Sequence, residues 1–503
     1  MYLTQSLHRA LQQTPDLPMT ISGDRTRTTR EVFHRVSRLA SVFRELGVQT
    51  GDRVAILARN SDRYHETFLA AWWCGAVVNP LNIRWSAGEI AHALRDAEPR
   101  VLLVDDTTAD TAAEVLTAHR RHVVYCGDGA APTGMSSYEE GIGAARPVAD
   151  MRIGEQTPAS LLYTSGTTGS AKGVLMTHRN LMTSAISHDT AFAGGTSLLT
   201  APMFHIAALS CWLTQLYLGG TVVFLPSFDP PAVLRAIEQH RVTSLTLVPT
   251  MLRMLLDHPG FDAFDTSSLW ALGYGAAPIT PDLLERSAKA FPTAGFVQGY
   301  GTTETAIVTA LTRNDHRVGG RRLRSAGRAV PQCEARIVDP AGNELPRGRV
   351  GELAVRGDGV MRGYFNRPAE TAEVLRENWF HTGDAASMDD DGFIYIVDRI
   401  KDMIITGGEN VYSGEVEAAL ATHPAVSSCA VIGLPDDLWG ERVHAFVVPR
   451  PTMPVTPDEL RNHVAVRLAG YKVPRGIDFI DALPISASGK VLKHRLRELS
   501  SRR

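Results

Sequence analysis

Two capping boxes constrain the fold of this chain more than any other feature. Thr28-x-x-Glu31 and Ser86-x-x-Glu89 each set a hydroxyl and a carboxylate on the free N–H groups of a helix start. Behind the first, Val32, Phe33, Val36, Leu39, Ala40, Phe43 and Leu46 recur at helical spacing until Gly47 closes the run. Short apolar runs at Arg53–Leu57, 76–79 and Val101–Val104 read as strands, with a helix over 62–74. This β-α-β-α-β alternation predicts a mostly parallel sheet covered by helices.

The middle of the chain repeats the pattern. Strands are expected at 221–225, 244–248 and 271–273, with helices at Pro230–His240 and 249–257. The basic, glycine-rich stretch 313–328 reads as a solvated loop. Strands at 335–338 and 351–356, separated by turn residues, suggest a small antiparallel or barrel-like subdomain. A boundary is expected near Asp398, where a strand over 393–397 ends ahead of Gly407-Gly408. Beyond it come a helix from Ser413, strands at 430–433 and 443–448, and the capping box Thr456-Pro-Asp-Glu459.

The expected fold is therefore α/β. A large multi-layer N-terminal domain (1–398) would hold two α/β subdomains and the barrel-like one. A small mobile α+β domain (399–503) would follow the boundary near Asp398. At 503 residues the chain exceeds the size at which single cores stop growing, which agrees with that division.

Charge and cysteine usage exclude several classes. A net charge of −3 gives no electrostatic reason for a nucleic-acid or anionic-membrane partner. Five scattered cysteines, odd in number and without CxxC spacing, argue for a reducing compartment and against structural zinc. No apolar run approaches the roughly 18 residues of a membrane span, and Ser500-Ser-Arg-Arg503 is not a peroxisomal tripeptide. A cytoplasmic location is the expectation, compatible with a homodimer.

Chemistry concentrates in Tyr163-Thr-Ser-Gly-Thr-Thr-Gly-Ser-Ala-Lys-Gly173. Its glycines let backbone N–H groups turn inward, its hydroxyls add donors, and Lys172 adds charge without any acidic residue. Such a loop suits a polyanion, although a flexible turn has the same composition. It is not a Walker A loop, since Gly173 rather than Ser or Thr follows Lys172. Four later stretches share its theme: Tyr300-Gly-Thr-Thr-Glu304, Thr382-Gly-Asp384, Asp398-Arg399 and Ser488-Gly-Lys490.

In this order and at these separations the motifs resemble the acyl-adenylate-forming superfamily, which includes the acyl-CoA synthetases. Gly407-Gly-Glu-Asn410 and Pro484–Lys490 extend the resemblance over nearly the whole chain, and it is most like bacterial fatty-acid ligases. It implies that a carboxylic acid attacks the α-phosphorus of ATP to give acyl-AMP, after which a thiol displaces AMP. It also implies residue roles. Thr164, Ser165, Gly166, Thr167, Thr168, Gly169 and Lys172 would hold the phosphates, and Glu304 would bind Mg²⁺. Gly275, Ala276, Ala277, Tyr300, Gly301, Asp384 and Arg399 would hold adenosine, with Lys490, Thr303 and Glu304 as the catalytic set. Rotation about Lys401 would bring Gly407, Gly408 and Trp439 to a coenzyme A passage, with Arg84, Lys472 and Arg475 on its phosphates.

The acyl pocket implied by the resemblance consists of His205, Ala207, Ala208, Tyr274, Gly275, Gly299, Thr303, Ile307 and Val308. It carries no Arg or Lys to pair a second carboxylate, which disfavours diacids. Its small residues leave volume for more than acetate. A medium- to long-chain fatty acid is the first expectation, and an aryl or cinnamic acid the second. An acyl-AMP ligase that loads a carrier protein, and a non-catalytic nucleotide-binding protein on the same fold, are the rival readings. Retention of Lys490, Glu304 and Asp384 speaks against the last.

Overall fold

The computed structural model describes residues 2–115, 122–164, 171–187, 194–451, 453–485 and 491–501. Contacts divide the chain into two compact units, 1–334 with 355–380 and 335–354 with 381–503.

The first unit is built on two sheets. One runs in the order Gly363–Tyr364, Lys172–Thr177, Pro158–Thr164, Val77–Pro80, Arg53–Leu57, Val101–Val104, His122–Tyr125, Ser136–Ser137. Its interior pairings are parallel, and the Lys172–Thr177 strand pairs antiparallel with both neighbours. The other runs Arg328–Ala329, Ala306–Leu311, Gly295–Thr302, Ala271–Gly275, Ser244–Leu247, Thr196–Leu199, Thr221–Phe224, Pro18–Ser22, Arg25–Thr28. It too is parallel inside and antiparallel at its edges.

Both expected capping boxes are formed, opening the helices Thr29–Glu45 and Ala87–Ala97. Each sheet buries a core under its helices. Ala55, Leu57, Leu102 and Val104 meet Ile90, Ala93 and Leu94 in one. Leu245, Leu247 and Leu272 meet Val233, Leu234, Ile237 and Leu252 in the other. Full burial of such side chains contributes about 1.5–3 kcal/mol apiece, so the interlocked core holds the strand ends that carry the site.

The basic stretch corrects an expectation. Arg313–Val318 is a helix, not a solvated loop, and Gly320–Arg324 a 3₁₀ turn. Thr312 and the buried Asp315 form a further capping box there, with Asp315 accepting from Thr312 N at 3.0 Å. The charge run masked a cap with Asp in the position that Glu usually fills.

In the second unit, Ile394–Arg399 pairs antiparallel with Trp379–Met388, whose Thr382 hydroxyl donates to the Leu353 carbonyl. A further sheet joins Glu409–Val411, Ile404–Thr406, Gly440–Pro449 and Val426–Asp436, with Gly476–Phe479 parallel to Gly440–Pro449. The helices Ser413–Ala421 and Pro457–Ala465 pack on it through Val416, Leu420, Leu460 and Val464.

Candidate active site

The phosphate-loop motif is the connection of a hairpin. Pro158–Thr164 and Lys172–Thr177 pair antiparallel with Thr164 opposite Lys172 and Tyr163 opposite Gly173. Ser165, Gly166, Thr167, Thr168 and Gly169 lie outside the described residues. The flanks fix where the loop leaves. Tyr163 donates its hydroxyl to Asp96 at 2.6 Å, and burial, then this bond, push its pKa well up. A Cβ on Gly173 would come 2.8 Å from Leu161 Cδ1, so a side chain there would have to displace the buried leucine.

Lys172 ends the hairpin beside an acidic partner. Its Nζ lies 2.5 Å from Glu370 Oε2 and 5.1 Å from the centroid of the Tyr364 ring. Arg367 also pairs with Glu370 at 2.9 Å, and Lys172, then Arg367, hold that carboxyl below the ordinary range. Tyr364 donates its hydroxyl to Glu304 Oε1 at 2.9 Å. Among the described residues no group of three or more His, Cys, Asp or Glu could hold a metal. A single carboxylate at Glu304 fits Mg²⁺, which is held by one or two carboxylates while phosphates and water supply its other ligands.

The residues of this unit expected to hold adenosine sit at adjacent strand ends, with Gly275 opposite Gly299 and Tyr300 opposite Thr309. A Cβ at Gly275 would overlap the Gly299 carbonyl oxygen, and one at Gly301 would overlap that of Ala306. Both glycines are thus close-approach positions between neighbouring backbones. Ala276 takes a positive φ of 63°, which turns the chain sharply out of the sheet. Thr303 is half-buried between Thr302, whose N–H donates to Thr305, and Glu304.

The residues expected in the acyl pocket divide. Ile307 and Val308 line one small cavity with Thr183, Ser187 and Gln332, and Ile307 Cδ1 lies 3.7 Å from where a Gly299 Cβ would stand. His205 caps the helix Ile206–Leu218, which carries the exposed Ala207 and the buried Ala208. Tyr274 is buried: its ring belongs to the core of the second sheet and its hydroxyl meets His316 Nε2 at 2.9 Å. His316 in turn bonds the Thr312 carbonyl through Nδ1 at 2.8 Å, and burial lowers its pKa. The sequence reading missed His316; the Thr312-x-x-Asp315 box would have placed it on a helix.

In the second unit Asp384 is buried and Arg399 Nε lies 2.7 Å from it, the two facing each other in register. Arg399 Nη1 also donates to the Thr382 carbonyl at 3.2 Å. Lys401 occupies an exposed 3₁₀ turn, Ile400–Asp402. Gly407 and Gly408 take φ of 59° and 83°, and Gly407 N donates to the Trp439 carbonyl at 2.8 Å. Arg475 lies over the Trp439 ring at 4.6 Å, so three of the expected coenzyme A residues are together. Lys472 is instead engaged by Glu415 at 2.7 Å. Arg84 is exposed in the first unit, and Lys490 lies outside the described residues.

Two family matches bear on this arrangement: AMP-binding enzyme over residues 7–365, and AMP-binding enzyme C-terminal domain over residues 415–490. The chain belongs to the AMP-binding enzyme family. It is an AMP-forming acid–thiol ligase. The ligase is 42% identical to a feruloyl-CoA synthase of Amycolatopsis sp over 493 residues, 97% of each chain. It is 36% identical to the fatty acid–[acyl-carrier-protein] ligase ScoC of Streptomyces coeruleorubidus, covering 98% of this chain and 95% of that one. A solved ATP-bound RpMatB-BxBclM chimera superposes with a TM-score of 0.91 at 31% identity, covering 100% of this chain and 99% of the other.

Proposed function

We propose that this ligase converts an aryl-substituted acid of the hydroxycinnamic kind, through its acyl-AMP, to the coenzyme A thioester. The observation that carries the reading is the 42% identity to a feruloyl-CoA synthase across almost the full length of both chains. A medium- to long-chain fatty acid, the first expectation from the pocket composition, becomes the second reading and draws on the 36% identity to ScoC. ScoC also keeps a carrier protein in view as the thiol acceptor, whereas Arg475 stacked on Trp439 beside Gly407 favours coenzyme A.

Adenylation builds negative charge on a crowded phosphate, so its catalysis is positioning and electrostatics. Thr164, the loop hydroxyls and Lys172 would hold the departing pyrophosphate, and Tyr300 would stack on adenine beside the Gly275–Ala277 backbone. Asp384, oriented by Arg399, would accept from the ribose hydroxyls. Glu304 would hold Mg²⁺, which when bound offsets phosphate charge. Lys490 would bridge the attacking carboxylate and the α-phosphate, drawing two anions together without transferring a proton. Rotation about Lys401, with the hinge dividing 1–398 from 399–503, would then exchange Lys490 for Gly407 and Gly408, past which the thin pantetheine arm fits.

The test is thiol-dependent AMP release over fatty acids of rising length and over benzoic, cinnamic and hydroxycinnamic acids. Each acid is offered with coenzyme A or a phosphopantetheinylated carrier. Highest kcat/KM for a hydroxycinnamate with coenzyme A is expected; a maximum at a long alkanoate would replace the aryl reading by the aliphatic one.

A further inference from the structure

We infer that Tyr364 is a positioning residue that holds apart, and aims, the two opposite charges with which the ligase receives MgATP. The inference rests on the reading above for Glu304 and Lys172 and adds a residue to it.

One side chain touches both groups. The Tyr364 hydroxyl donates to Glu304 Oε1 at 2.9 Å, and its ring lies under the Lys172 ammonium at 5.1 Å. The backbone around Tyr364 joins the same two motifs. Gly363 and Tyr364 pair with Leu175 and Val174 of the Lys172–Thr177 strand, and Phe365 N donates to the Gly173 carbonyl at 2.8 Å. Three residues earlier in the chain, Met361 N donates to the Glu304 carbonyl at 2.7 Å. Residues 361–365 therefore stitch the Tyr300–Glu304 motif to the phosphate hairpin. Tyr364 N, held by Thr371 Oγ1 at 2.9 Å, fixes the point from which the ring projects.

The arrangement answers a physical problem. A carboxylate meant for a metal and an ammonium meant for phosphates attract each other when no nucleotide is present. If they paired directly, each would be turned from its ligand, and binding MgATP would first have to break that pair. Here each has a different partner. Glu304 accepts from a neutral hydroxyl through one oxygen, which leaves its second oxygen to other partners. Lys172 rests on an aromatic face and on Glu370, itself shared with Arg367, so the ammonium has an alternative anion that phosphates can replace. A phenol suits this place because it combines a flat face for a cation with a donor at its tip.

Equilibrium binding separates this role from a structural one. Affinities for the Mg²⁺ complex of an α,β-methylene ATP analogue, which cannot be adenylated, and for AMP are measured by calorimetry. In Tyr364→Phe the ring remains and the hydroxyl is lost. The analogue should bind about tenfold more weakly, the loss expected for one hydrogen bond to a charged group, while AMP affinity stays within twofold. In a Glu304→Gln background the same substitution should cost little, since the two act as a unit. Equal weakening of AMP, or full additivity with Glu304→Gln, would overturn the inference. If Glu304→Gln and Lys172→Ala leave analogue affinity unchanged, the assignment of the site itself fails; if they weaken it while Tyr364→Phe does not, only the role of Tyr364 fails.

Discussion

Arg399 Nε lies 2.7 Å from the carboxylate of Asp384, and the two residues face each other in register across antiparallel strands. The carboxylate is buried and its partner is partly exposed, so the guanidinium orients the anion from the solvent side. Asp384→Asn keeps the shape but removes the charge that two ribose hydroxyls would share. Its KM for ATP should rise roughly 10- to 100-fold, as for losing hydrogen bonds to a charged group, when pyrophosphate release is followed. An unchanged KM would take Asp384 out of the nucleotide site.

In the roles proposed for them, both lysines serve adenylation and neither serves transfer to the thiol. Lys490→Ala should abolish adenylation and spare thioester formation from supplied acyl-AMP. Lys172→Ala should weaken adenylation through KM for ATP and leave the second step nearly unchanged, because pyrophosphate has already left. Separate assays of the two steps decide, and equal losses in both would refute either role.

Gly407 separates the steps in the opposite sense. Its φ of 59° disfavours any side chain, and a Cβ there would stand 2.7 Å from Trp439 Cε3. Gly407→Ala should therefore shift Trp439 and slow transfer to coenzyme A by roughly tenfold or more, the scale of a misplaced reactant. Adenylation should stay within about twofold, since the substitution is local. Stopped assays of each half-reaction read the difference.

Acid should destabilise the first unit through buried imidazoles. His65 accepts a hydrogen bond from Trp212 Nε1 at 2.9 Å, and burial lowers its pKa from 6.5 to about 3. His178, which accepts from Leu3 N, is lowered by burial to about 4. Between 6.5 and those values the unfolded chain binds protons that the folded one refuses, so stability falls as pH falls. The slope is about 1.4 kcal/mol per pH unit for each histidine. His65→Gln keeps an acceptor for Trp212 and removes the titration; urea midpoints at pH 7 and pH 5 should then differ less than in the wild type.

The expected site was read from local motifs before any fold was known. The phosphate loop, Glu304, Asp384 and the paired glycines stand out because nucleotide chemistry asks for particular residue types at close spacing. His316 was not legible, since nothing local to a basic, glycine-rich run shows that a helix forms there or that its ring will meet Tyr274. Tyr274 was expected in the acyl pocket; that its ring would be buried with Leu272 and Phe296 could not be read from the sequence. On a strand, side chains alternate between faces, and which face meets the core depends on the neighbouring strands.

The sequence by itself determined the chemistry of the family and the local elements. Capping boxes at Thr28, Ser86 and Thr456 need only a few neighbouring residues to form, and each stands where it was expected. Tertiary structure decided which strands became partners. Pro18–Ser22 joins Thr221–Phe224, so the N-terminal strand leaves the sheet of the helices that follow it. Gly363–Tyr364 joins Lys172–Thr177, which carries Tyr364 to both Glu304 and Lys172. A strand's backbone groups are the same in every sequence, and its partner is chosen by the packing of whole layers. Glu304 and Lys172 could each be singled out from a local motif; the Tyr364 side chain that touches both reaches them only in the folded sheet.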